Sequence, residues 1–225
     1  MGRVHRAPAG GFADTCHLLA PSHVSQEMAS ALDRSPITED SWAVIANFAG
    51  EQPVNLDVHA NDVWLSLSSG TGLNRVWVST DDAAHFTETP ICPGAVGVVG
   101  LDAATTQDLW AACTTGSSDD IWRSIDGGQS FTEVMSLSAP FPNWDGVAAT
   151  SGSTAVVAGA RLQLTVDGGH SFRTVLANGD DWSIVGFTDS EDGFALSYPN
   201  SSFVLPSGLW RTDDAGAQWY EVQFP

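Results

Sequence analysis

The chain has 225 residues, 43% of them hydrophobic, and a formal charge of −19 reached with eight arginines and no lysine. A chain of this size buries roughly 70% of its unfolded surface, so a substantial core is expected. So acidic a surface repels phosphate backbones and anionic lipid, which argues against nucleic-acid and membrane partners, and no apolar run is long enough to insert into a bilayer as a helix.

In chain order, residues 1–11 are rich in Pro and Gly and read as unstructured. Arg3, His5 and Arg6 are not followed by the apolar stretch of a secretory signal. Apolar spacing over Ser22–Asp33 predicts one short amphipathic helix capped by Ser22, and Ser41–Phe48 predicts an extra strand. Residues 1–40 are therefore read as an irregular segment with a short helix, and 41–225 as the main domain. From Val54 onward short apolar runs alternate with turn-formers. They resolve into four groups of four strands. The first is Val54–His59, Asp62–Leu67, Arg75–Ser79 and Phe86–Thr89. The second is Val98–Ala103, Asp108–Cys113, Ile121–Ser124 and Phe131–Met135. The third is Gly146–Thr150, Thr154–Gly159, Leu162–Thr165 and Phe172–Leu176. The last is Ser183–Thr188, Gly193–Ser197, Leu209–Thr212 and Trp219–Gln223.

Between the third and fourth strand of each group lies an octapeptide of one pattern: STDDAAHF from Ser79, SIDGGQSF from Ser124, TVDGGHSF from Thr165 and TDDAGAQW from Thr212. Their first residues are 45, 41 and 47 positions apart. A period in the forties with a shared tight turn is the signature of stacked four-stranded blades, so the expected fold is an all-β propeller. A hydroxyl at position one (Ser79, Ser124, Thr165, Thr212) and a carboxylate at position three (Asp81, Asp126, Asp167, Asp214) bond nearby backbone groups and fix the reversal. Small residues at position five, Gly128, Gly169 and Gly216, accept the positive φ such a turn needs. The copy at 79–86 carries Asp82 and Ala83 instead of two glycines, so its geometry is expected to be the loosest. The closing aromatic, Phe86, Phe131, Phe172 or Trp219, is expected to pack between neighbouring sheets.

These octapeptides resemble the Asp-box, or BNR repeat, Ser/Thr-x-Asp-x-Gly-x-x-Phe/Trp. Two copies match it in full, and the copy at 212–219 fits a relaxed form. The resemblance implies a propeller in which each box joins a blade's third and fourth strands. Members include sialidases, sortilin-type receptors, xyloglucan-degrading glycoside hydrolases and photosystem assembly factors, so the repeat implies a scaffold and leaves the activity open. Four blades and a fragment are fewer than such propellers usually have. Three solutions stay open: an irregular fifth blade from the amino-terminal segment, association of two chains, or a larger gene product. The last would place missing material before Met1. Localisation divides likewise, between a soluble cytoplasmic protein and an exported bacterial one whose signal segment is absent from this chain.

Sialidase chemistry needs arginines outside the repeat, yet Arg123 and Arg211 immediately precede a box, and Arg75 and Arg161 each lie four residues before one. Tyr198 and Tyr220 have no evident partner, and the six histidines show no metal or triad spacing. Neither a metal, a cofactor nor a catalytic residue is expected. Cys16, Cys92 and Cys113 are odd in number; a Cys92–Cys113 bridge is one reading, and isolated thiols the favoured one. Because strands alternate in direction, the boxes share a face with the first turn of each blade. The opposite face carries the variable loops, Ser68–Asn74, Thr114–Asp120 and Tyr198–Gly208. There Trp144 with Asp145, and Asp181 with Trp182, pair an indole with an acid as candidate ligand grips; the competing reading wedges both indoles between blades. The function expected is a non-catalytic binding or assembly module for a glycan or protein ligand, with self-association if the ring is incomplete. The alternative is a glycoside hydrolase, sialidase-like or other, or its inactive remnant.

Overall fold

The computed structural model describes residues 14–19, 29–36, 43–49, 52–68, 74–115, 118–137, 146–199 and 207–224. It is all-β, with nineteen strands in five antiparallel sheets and no helix among the described residues. The first sheet has three strands, β1 (Asp14–Leu19), β2 (Ala29–Pro36) and β3 (Ala43–Ala49). The second holds β4 (Gln52–His59), β5 (Asp62–Ser68), β6 (Arg75–Ser79) and β7 (Thr87–Pro90). The third holds β8 (Gly97–Ala103), β9 (Leu109–Thr114), β10 (Asp119–Ser124) and β11 (Thr132–Leu137). The fourth holds β12 (Val147–Ala149), β13 (Ala155–Val157), β14 (Leu162–Thr165) and β15 (Arg173–Leu176). The fifth holds β16 (Asp181–Phe187), β17 (Gly193–Tyr198), β18 (Gly208–Thr212) and β19 (Tyr220–Glu221).

The sixteen strands expected from Val54 onward are all present, each within a few residues of the expected bounds. The expected helix is not. Its residues 29–33 lie in β2, where pairing with β1 on one side and β3 on the other overrides the local helical spacing, and residues 22–28 lie outside the described set. That pairing also runs across residue 40.

Register shows what the first sheet is. In the later sheets the residue before each octapeptide pairs with the residue after it: Val78 with Thr87, Arg123 with Thr132, Leu164 with Arg173, Arg211 with Tyr220. In the first sheet Arg34 pairs with Ala43, which encloses the eight residues Ser35 to Trp42. Of the pattern, this stretch keeps only the hydroxyl at position one and the aromatic at position eight. A register shift sits three residues before the corner at Leu32/Asp33, as at Ile121/Trp122 and Leu162/Gln163. Thr15 pairs with Ser35 as Val63 pairs with Ser79 and Leu109 with Ser124. The strands β1 to β3 are therefore the second, third and fourth strands of a blade.

Each sheet packs face to face on the next. Leu32 meets Leu65, Leu67, Trp77 and Phe86; Trp64, Val76 and Val78 meet Val98, Leu109, Trp122 and Phe131. Trp110, Ala112 and Ile121 meet Val147, Ala155 and Phe172; Val156, Leu162 and Leu164 meet Trp182, Ala195, Trp210 and Trp219. The closing aromatics of all four corners thus lie between sheets, as do the three indoles two residues before a corner. Burying a large aromatic in this way stabilises by roughly 2–3 kcal/mol.

Candidate functional site

The four corners share one hydrogen-bond set. The position-one hydroxyl donates to the position-three carboxylate at 2.9, 2.7, 2.9 and 2.9 Å, and accepts from the position-five amide at 2.9, 2.8, 2.9 and 3.0 Å. The same carboxylate accepts from the position-seven amide at 2.8–2.9 Å. Its second oxygen is capped by the position-seven side chain: His85 Nδ1 at 2.7 Å, Ser130 and Ser171 Oγ at 2.6 Å, Gln218 Nε2 at 3.1 Å. Sequence reasoning missed this cap because position seven varies in residue type, although three of the four residues are plainly donors and His85 can donate. The corner at 79–86 is as tightly bonded as the others, contrary to expectation: Asp82 and Ala83 adopt φ of 58° and 61°, so the turn is preserved and the strain is carried by the backbone.

These bonds set the carboxylates' charge. The bond from His85 holds Asp81 down at about 2, helped by the His85 amide and Ser79, and the hydroxyl and amide of Ser171 do the same for Asp167, also at about 2. At Asp126 and Asp214 burial pushes upward, and bonds from Ser130 and Gln218 respectively outweigh it, so both end below the ordinary range. The position-four amide of each corner donates to its own blade's first turn, at Asn61, Gln107, Ser153 and Glu191, placing corners and first turns on one face. All four carboxylates serve the turn.

Two further carboxylates line up on the inner strands. Asp57 and Asp102 are 45 residues apart, the spacing of the first two corners, and sit opposite Trp64 and Trp110. Asp57 accepts from the amide of Val58 at 2.7 Å and, in a short bond, from that of Ala103 in the next blade. Asp102 accepts from Ala149 of the blade after, at 2.6 Å. Burial raises both, and the Asp57 charge helps push Asp102 up to about 8, so the pair retains a proton at neutral pH. The period match was the available signal for them. Ala148 and Gly186, at the corresponding positions, end the series.

On the opposite face a Cys92–Cys113 disulfide, Cα–Cα 6.3 Å, ties the connection entering the third sheet to the end of β9. The favoured reading of isolated thiols is thereby corrected: the connection after β7 lies against β9, within bonding reach. Asn74 Nδ2 reinforces the junction by donating to Ala95 O at 2.9 Å. Of the candidate grips, Trp144 and Asp145 lie outside the described residues. Trp182 is 1% exposed, wedged edge-on against Trp210 at 5.6 Å between the fourth and fifth sheets, so its ring face is not offered to a ligand. The wedge reading holds there because β16 is an inner strand facing the preceding blade. Asp181 stays half-buried opposite Tyr198, with its carboxylate unbonded among the described residues. Beside it Asp180 accepts from Ser207 Oγ at 2.9 Å and Asn178 Nδ2 at 3.0 Å. Arg123 and Arg75 hold structure. Arg123 bridges Asp108 at 2.8 Å and Gly168 O at 3.2 Å while covering Trp110, and Arg75 pairs with Glu88 at 2.7 Å.

Antiparallel sheets packed face to face in sequence order, four of them four-stranded with the same corner between their third and fourth strands, make this chain a β-propeller. No family model matches its sequence, and no curated protein does. Solved structures match its fold. A GH74 enzyme from Niastella koreensis is 15% identical, with TM-score 0.67 over 87% of this chain and 35% of that one. YCF48 bound to D1 peptide is 11% identical, with TM-score 0.52 over 92% and 85%. The β-propeller domain of the Trilobed protease from Pyrococcus furiosus, with an open velcro topology, is 10% identical, with TM-score 0.59 over 92% and 67%. The chain spans about a third of the length of the GH74 enzyme it matches.

Proposed function

We propose that this chain is a non-catalytic binding or assembly module of the Asp-box type, presenting the loop face opposite its corners to a protein or glycan ligand. One observation carries the reading: the four corner carboxylates, the Asp57–Asp102 pair and Arg123 are all engaged in fixing turns and tying blades together, while the loop face is stiffened by a disulfide and offers the unbonded Asp181. A frame rigid before contact loses little entropy on binding. The fold likeness to YCF48, a propeller described with a bound peptide, favours an extended protein segment over a glycan. The disulfide, which persists in oxidising surroundings, and the lysine-free acidic surface support an exported setting.

Peptide and glycan arrays on the whole chain test the reading, with Trp144→Ala, Asp145→Ala and Asp181→Ala as variants. The expected result is binding weakened at least tenfold with unchanged thermal stability. Loss of no binding in any of the three would sink it. A second reading, glycoside hydrolysis, draws on the Asp102 carboxyl, raised by burial and by the Asp57 charge, and on the likeness to the GH74 enzyme. Turnover of a polysaccharide that vanishes in Asp102→Asn would establish it instead.

A further inference from the structure

The fifth sheet carries half of a blade-to-blade interface. In the third sheet the face toward the fourth is built on Trp110, Arg123 and Asp108: the indole is fully buried, the guanidinium covers it, and Arg123 also reaches the position-four carbonyl of the next corner, Gly168. The second sheet reaches the same carbonyl of its neighbour with Trp64 Nε1, 2.9 Å from Gly127 O. By register the equivalents in the fifth sheet are Phe194 for Trp110, Arg211 for Arg123 and Asp192 for Asp108. Nothing described covers them. Phe194 is 44% exposed where Trp64, Trp110 and Val156 are fully buried, and its neighbours on that face, Ile184 and Tyr220, are 52% and 47% exposed. Leu196, cross-strand from Ile184, and Leu209, cross-strand from Leu196, extend the same apolar surface.

We infer that this face is a docking surface for a second copy of the chain, joined through the same face of the partner in a two-fold arrangement. Chemistry favours a self-complementary contact. The apolar rows of Ile184, Leu209 and Phe194 suit one another, and Arg211 lies among the acids Asp192 and Asp213, so each copy's guanidinium meets the other's carboxylates. The opposite end of the array does not suit it. At the register position where Trp77, Trp122 and Trp210 stand, the first sheet has Asp33, an acid in place of an indole, paired with Val44. A head-to-tail chain of copies is therefore disfavoured, and only one end associates. The face measures roughly 400 Å², four strands about 4.8 Å apart and some six residues long, so two copies bury about 800 Å² in all, the scale of a weak, transient association.

Sedimentation equilibrium on the whole chain is the test. The expected outcome is a monomer near 23.7 kDa at low micromolar concentration shifting toward twice that mass at hundreds of micromolar. Ile184→Lys and Phe194→Glu should each weaken the dimer at least tenfold, and Val44→Glu at the other end should leave it unchanged. Ile184 is exposed enough that its variant folds even if Phe194→Glu does not. A monomer at every concentration would overturn the inference, as would a dimer that survives Ile184→Lys or one lost with Val44→Glu.

Discussion

At the residue scale, the position-five residue of each corner meets two demands at once. Gly169 has φ of +92°, and a Cβ there would lie 2.9 Å from Val134 of the preceding sheet. Gly169→Ala should therefore cost about 2–3 kcal/mol, strain and overlap adding, and lower the urea midpoint without changing the slope. Ala83, at the same position of the first corner, already carries a Cβ at φ of 61°. Ala83→Gly relieves that strain at the loss of one buried methyl, and a gain of about 0.5–1 kcal/mol is expected in the same assay. An Ala83→Gly protein less stable than the parent would show that the left-handed alanine is held by its contacts. The corner motif was legible because its hydroxyl, acid and small residues act locally, within eight positions. The fate of Trp182 was not, since an indole beside an acid looks the same on a rim as in a wedge until the neighbouring sheet is placed.

Strand positions in the four later sheets were legible from alternation and turns, but the carboxylate, guanidinium and indole ties from one blade to the next join residues more than 40 apart and were not. The Asp57 and Asp102 carboxylates are such ties, and they oppose the corners in their response to pH. Corner acids with folded values lowered to about 2 contribute stability that is complete above the unfolded value near 4 and lost as pH falls toward 2. Asp102, raised to about 8, binds a proton in the folded chain that the unfolded chain has released, so stability falls as pH rises from about 4 to 8, by up to about 1.4 kcal/mol per unit for one proton. Thermal midpoints should accordingly peak on the acid side of neutrality, near pH 4–5. Asp102→Asn, which can still accept from Ala149, should flatten the decline between pH 5 and 8. A parent chain more stable at pH 8 than at pH 5 would contradict this assignment. The disulfide is a separate tie: it closes a loop of about 20 residues, and Cys113→Ser should lower stability by about 3 kcal/mol on the loop-entropy model, with reductant producing the same loss in the parent.

At the scale of the molecule, the sheets form a row in which each contacts its sequence neighbours, so stability should be graded along it. The third and fourth sheets are covered on both faces; the fifth is covered on one, and the first, in its described residues, is covered on one and lacks an inner strand. Of the first sheet, the strand expected at Ser41–Phe48 was legible and is found as β3, whereas β1 and β2 were not. The segment Ser35 to Trp42 keeps two of the pattern's marks, and the helical spacing over Ser22–Asp33 is a local signal that the pairing of β2 with β1 and β3 overrules. Amides donating within β9, β10 and β13 have fully buried neighbours on both sides, including Trp110, Ile121 and Val156, and exchange there requires global unfolding. Amides of β2 and β3 open when a single contact surface, Leu32 against Leu65 and Leu67, separates. Hydrogen exchange should therefore be slowest in the third and fourth sheets, faster in the fifth and fastest in the first, with the fifth slowing at high protein concentration if its free face is covered by a second copy. Leu32→Ala should speed exchange in β1 to β3 and leave β9 and β13 unchanged, because cutting an end contact frees one unit. Equal acceleration in every sheet would mean that the array folds as a single cooperative body, and that the ends are tied together by contacts beyond those of sequence neighbours.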